Sequence, residues 1–181
     1  MAHDVFISYS SNDKPIADAL CAGLEANGVR VWIAPRDIVP GVAWGEAIVD
    51  GISASKLMVV VFSDASNRSQ QVLREVERAV NKGIGIIPFR IEDVAPTKSM
   101  EYFLSSPHWL DALSAPLERH IDELTQTVRV LLQSKVVQPE PVARPRVVAA
   151  EPGPRPTVAP DDWYHREGGW LKRFLAMFDD R

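Results

Sequence analysis

The chain has 181 residues, enough for one domain with a real core plus an appendage. Its 46% hydrophobic and 24% charged residues are globular proportions, and a net charge of −4 with no basic stripe argues against a nucleic-acid binder. A single cysteine, Cys21, excludes an intrachain disulfide and a cysteine-built zinc site, which fits a reducing compartment, and reads as a small helical core filler.

Met1 leads straight into the strand-like Val5-Phe6-Ile7 with no charged and apolar leader, and no apolar run reaches spanning length. A cytoplasmic location follows as an expectation, with membrane attachment disfavoured. Residues 4–8 read as a buried strand, after which Ser10-Ser11-Asn12-Asp13 offers N-cap residues before Pro15. The helix that follows presents Ile16, Leu20, Gly23 and Leu24 to the core and ends at Asn27-Gly28. Residues 29–33 form a second strand. The loop 34–42 carries two prolines and a glycine, and Trp44, Ile48 and Ile52 then recur every four residues to mark a helix. The unbroken apolar run within 56–62 suits a central parallel strand covered on both faces.

A loop at 63–68 leads into a helix over 69–82, with Val72, Leu73, Val76, Ala79 and Val80 inward. Residues 84–91 form the fourth strand, 92–106 read as irregular, and His108-Trp109-Leu110 as a short edge strand. Leu117, Ile121, Leu124, Val128 and Leu131 mark a final amphipathic helix. Five strand-helix units with right-handed crossovers give an α/β, flavodoxin-like parallel sheet, order 2-1-3-4-5, with helices on both faces. Residues 1–135 thus make one domain. The stretch 136–160 holds half of the 14 prolines and reads as a linker. Residues 161–181 regain aromatic and aliphatic side chains and read as an amphipathic tail helix, able to fold back on the domain or to bind a sensor protein as a helix in a groove.

Ligands of open parallel sheets bind beyond the C-terminal ends of the strands where the strand order reverses. That rule nominates the segments 9–13, 34–42 and 63–68 and the start of the next helix. None carries GxGxxG, Walker A, HExxH or GxSxG, and the four histidines are scattered, so each histidine reads as structural or solvated.

The string Asp4-Val5-Phe6-Ile7-Ser8-Tyr9-Ser10 followed by Asp13, then Trp32 with Arg36-Asp37-Ile38 and Pro40-Gly41, resembles the first two boxes of Toll/interleukin-1 receptor (TIR) domains. The resemblance continues through Val59-Val60-Val61-Phe62-Ser63, the helix at 69–80, Ile87-Pro88 and His108-Trp109, and spans about residues 2–135. It implies one of two activities. Some TIR domains are adaptors that signal by assembling. Others, the bacterial immune effectors among them, cleave the nicotinamide glycosidic bond of NAD to ADP-ribose or a cyclic isomer once they self-associate.

The enzymes' pattern runs from a serine to a glutamate six residues on, which places the catalytic residue at Glu75 from Ser69. The family's aromatic before that glutamate is replaced by Gln71, so a stacking partner must come from Trp44 or Phe6. Helical geometry alone does not choose between Glu75 and Glu77, since both flank the apolar face equally. One carboxylate suffices for this chemistry, because nicotinamide leaves a pyridinium as a neutral molecule and needs no acid. The remaining demand is to stabilise positive charge on the ribose. The resemblance further implies Phe6, Tyr9, Ser10, Arg36, Trp44 and Ser63 as substrate-binding residues and Arg36, Asp37, Pro40 and Gly41 as an assembly loop. NAD is expected as substrate, with no resident metal or cofactor. The rival reading is a non-enzymatic interaction module or a mimic of host TIR adaptors, acting through the 34–42 loop.

Overall fold

The computed structural model describes residues 3–134, so the linker at 136–160 and the tail helix at 161–181 lie outside the described residues. Five parallel strands, β1 (His3–Ser8), β2 (Val31–Ile33), β3 (Ser55–Phe62), β4 (Gly85–Arg90) and β5 (Leu110–Asp111), are arranged in the order 2-1-3-4-5. The helices are α1 (Lys14–Ala26), entered through a 3-10 turn at Ser11–Asp13, α2 (Trp44–Ser53), α3 (Asp64–Asn67), α4 (Gln70–Asn81), α5 (Lys98–Leu104) and α6 (Leu117–Ser134).

Strand parity divides the core in two, since neighbouring side chains on a strand point to opposite faces. Val5 and Ile7 of β1 and Leu57, Val59 and Val61 of β3 pack with α1 and α6. Phe6, Met58, Val60 and Phe62 pack with α2, α4 and α5 on the other face. This two-sided burial is why the β3 run contains no polar alternation. The Gly23 position lets α1 and α6 approach closely, because a Cβ there would meet Ile121 Cγ2 at 2.3 Å.

Several expected boundaries shift for local reasons. β2 starts two residues late because the Val29 N–H is used in closing the end of α1, donating to the Leu24 carbonyl at 3.1 Å. The 63–68 loop contains α3, a single turn held by a reciprocal cap in which the Ser63 hydroxyl accepts from the Ser66 N–H and the Ser66 hydroxyl from the Ser63 N–H. The expected irregular stretch 92–106 contains α5, whose Met100 and Leu104 are buried one helical turn apart. Val80 turns to solvent at 41% exposure, since Val76 and Ala79 already occupy the inward face of α4. Leu131 is likewise exposed, and Leu132 takes the core-facing place on α6. The edge strand begins only at Leu110. Trp109 instead packs edge-on against Phe62 at 4.8 Å and donates its indole N–H to the Leu104 carbonyl, while His108 is exposed.

One packing detail supports the site directly. The Trp32 ring stacks on Phe6 at a centroid distance of 4.7 Å, and its other neighbour is Gly51 of α2, where a Cβ would lie 2.5 Å from the indole. Gly51→Ala is therefore expected to lower the melting temperature, although alanine is the better helix former by about 1 kcal/mol. Overpacking costs about 1–3 kcal/mol, and Phe6 blocks the ring's retreat. Thermal unfolding checks this, and an unchanged or raised transition would show that α2 is free to move away.

Candidate active site

A cleft of about 390 Å³, within the size range of small-molecule sites, opens at the C-terminal ends of β1 and β2, between α2 and the start of α4. Phe6, Tyr9, Ser10, Trp44, Gln71 and Glu75 all line it. The floor is Phe6, buried and already stacked on Trp32, so that one of its faces is taken. Trp44, at the first position of α2, stands at the rim with 54% of its surface exposed. The Tyr9 hydroxyl donates to the Ala34 carbonyl and so ties the loop after β1 to the loop after β2.

Glu75 is only 7% exposed. Ser69 caps α4 by accepting from the Val72 N–H, which sets the helix phase so that residue 75 points at the end of β1. There the Ser8 hydroxyl donates to Glu75 Oε2 at 2.6 Å. Gln71, one turn earlier on α4, donates its side-chain N–H to Oε1 at 2.9 Å. Ser8 reaches this carboxylate because it shares strand parity with Phe6 and hence faces α4 rather than α1. Burial raises the Glu75 pKa above the usual carboxylate value, and the two hydrogen bonds pull the other way without cancelling it. Glu77, the geometric alternative, is exposed and does not line the cleft.

Two expected substrate contacts lie elsewhere. Arg36 does not line the cleft. Its guanidinium is held on the α1 side by Glu25 Oε2 and the Val31 carbonyl, both at 3.0 Å, and by Asp37 at 2.9 Å. Asp37 in turn accepts from the Ile33 N–H at 2.8 Å. The pair thus clasps the loop internally, while the loop tip is left outside, with Pro40 and Gly41 exposed beside Val39 at 64%. Ser63 is fully buried and does not line the cleft, donating to Asp13 Oδ2 at 2.6 Å besides capping α3. Both residues satisfy local hydrogen-bonding needs that a loop in the sequence does not display.

Ser8, Gln71 and Lys14 were not singled out for the site and belong to it. The parity of β1 and the four-residue step from Gln71 to Glu75 were the available signals for the first two. Cys21 is a buried residue of the α1 core whose thiol is pushed up to about 11 by burial, in keeping with an inert filler.

The family model described as "TIR domain" matches residues 5–127. The chain belongs to the TIR domain family. Among solved structures, the TIR domain of the Toll-related receptor TRR-2 from Hydra magnipapillata superposes with a TM-score of 0.61 at 24% identity, covering 71% of this chain and 99% of that one. The TIR domains of the activated Roq1 resistosome, described as directly recognising the pathogen effector XopQ, give 0.59 at 16% identity over 70% and 99%. A TIR-STING receptor from C. gigas, in complex with 2′,3′-cGAMP, gives 0.59 at 24% over 70% and 39%. These likenesses establish the shared TIR fold. A stimulator of interferon genes protein from Magallana gigas is 26% identical over 132 residues, 63% of this chain, and the chain spans only 32% of that relative's length. No helix among the described residues of this TIR domain is long and apolar enough to cross a membrane.

Proposed function

We propose that this TIR domain cleaves the bond between nicotinamide and ribose in NAD, releasing ADP-ribose or a cyclic isomer. The observation that carries the reading is Glu75, a nearly buried carboxylate held by two donors on the wall of the cleft beyond the end of β1. The bonding electrons pass to the pyridinium nitrogen as the C1′–N1 bond breaks, and nicotinamide leaves neutral. Ionised Glu75 stabilises the positive charge that develops on the ribose, with little competing water. Water, or a nitrogen of the adenine, then bonds to C1′. In the water reaction the proton released goes to the medium, directly or through the carboxylate. Trp44 offers the exposed aromatic face for stacking the nicotinamide ring, a role that Phe6, with one face on Trp32, fills less well.

The open rim suits activation by self-association through the exposed loop tip at Val39, Pro40 and Gly41, which would complete the walls of the cleft. An immune role goes with this proposal: the Roq1 resistosome recognises a pathogen effector, and the family resemblance implies a bacterial setting. In concentrated or artificially clustered protein, nicotinamide release from NAD should rise more steeply than in proportion to protein concentration and vanish in Glu75→Ala. Release unchanged by that substitution removes the site assignment. No release under clustering, with saturable binding to another TIR domain that Gly41 substitutions abolish, would leave the adaptor reading instead.

A further inference from the structure

NAD carries a doubly charged pyrophosphate, and with Arg36 committed to Glu25, Asp37 and the Val31 carbonyl, that charge needs another cation. Among the described residues lining the cleft, two are charged, Glu75 and Lys14. Lys14 is the first residue of α1 and is flanked on the same wall by Ser10 and Ser11. The Ser10 hydroxyl makes no capping hydrogen bond to the turn that it precedes, so it stays available to a ligand. Tyr9 lines the same cleft. Its phenol, raised mainly by burial, is drawn down by Lys14 and pushed up by Asp18 and Glu75, so it is within electrostatic reach of both ends.

The Lys14 ammonium is held by Asp18 at 2.6 Å, in a pair spaced one helical turn apart with both side chains about half exposed. Such exposed pairs contribute little, so exchanging Asp18 for a phosphate oxygen costs little. A charge-assisted contact to phosphate inside a partly closed cleft is worth more.

We infer that Lys14, with the hydroxyls of Ser10 and Ser11, binds the pyrophosphate of NAD and makes this cleft selective for phosphorylated pyridine nucleotides over nicotinamide riboside. The inference rests on the NAD-cleaving reading for its substrate class. Glu75 and Lys14 then divide the work along the cleft, one stabilising the ribosyl cation and the other fixing the phosphate that positions it.

The test compares full-length wild type, Lys14→Ala and Lys14→Arg on NAD and on nicotinamide riboside, with calorimetric binding of ADP-ribose measured alongside. Lys14→Ala should raise KM for NAD at least about ten-fold with kcat little changed and weaken ADP-ribose binding similarly. Cleavage of the riboside should be unaffected, and Lys14→Arg should behave nearly as wild type. KM for NAD should climb with added salt in the wild type and be flat in Lys14→Ala. Equal effects on both substrates, or undiminished ADP-ribose binding by Lys14→Ala, overturn the inference. Wild type that binds ADP-ribose in a Lys14-dependent way yet cleaves neither substrate sinks the catalytic proposal and leaves the phosphate site standing. Wild type that binds no ADP-ribose sinks the Lys14 site.

Discussion

Glu75→Gln is expected to reduce nicotinamide release by about 10³-fold while raising the stability of the fold at neutral pH. Both effects come from the same burial. A carboxylate that is 7% exposed and offset only by Ser8 and Gln71 loses more hydration than it regains, so its proton is held to a higher pH in the folded chain than in the unfolded one. Folding therefore takes up a proton between the ordinary value of 4.5 and the raised folded value. Glu75 contributes its full share of stability below that window. The share is lost as pH climbs through it, and above it the ionised group burdens the fold.

A glutamine keeps the shape and titrates nowhere. Its carbonyl accepts from Gln71 and its amide donates to the Ser8 oxygen, which can accept as well as donate. The gain at pH 7 should lie in the range of single stabilising substitutions, about 0.5–2 kcal/mol, and should shrink towards pH 4. Thermal unfolding across that range and nicotinamide release together decide it. A variant that is less stable at pH 7 would mean that the carboxylate is a structural anchor rather than a strained functional group.

The strand order and the two-layered core were legible because they follow from period. An apolar run covered on both faces, five strands and short crossovers leave few arrangements, and this sheet is one of the commonest. The choice between Glu75 and Glu77 was not legible from helical angle, since both border the apolar stripe of α4. The two differ in what each border meets: one faces the end of β1 and Ser8, the other faces solvent. Arg36 and Ser63 mark where such reading stops. Each lies in a loop beyond a strand end, as a ligand-binding residue would, and each is consumed by neighbours far away in sequence, Glu25 for one and Asp13 for the other. Loop side chains take whichever backbone and carboxylate partners the fold brings near them, and no periodicity reports the winner. The short helices α3 and α5 escaped for a related reason, being too brief to build a repeating pattern and held instead by the Ser63 and Thr97 caps.

Ser8→Ala should act on the reaction only through Glu75, and its signature is a displaced pH profile. The hydroxyl is buried, and its 2.6 Å bond to Oε2 is the shorter of the two that favour the ionised carboxylate. A methyl group in its place offers no donor. Hydrogen bonds to charged groups are worth about 1.5–3 kcal/mol, which moves the midpoint of activity against pH upward by about one to two pH units. Below both midpoints kcat should fall about 10–100-fold, and the two enzymes should converge at alkaline pH, with KM for NAD changed little because Ser8 is outside the group of residues that line the cleft. Loss of packing alone would scale the rate down equally at every pH. A profile that keeps the wild-type midpoint while losing amplitude would therefore show Ser8 to be a packing residue, and would make Gln71 the chief support of the carboxylate.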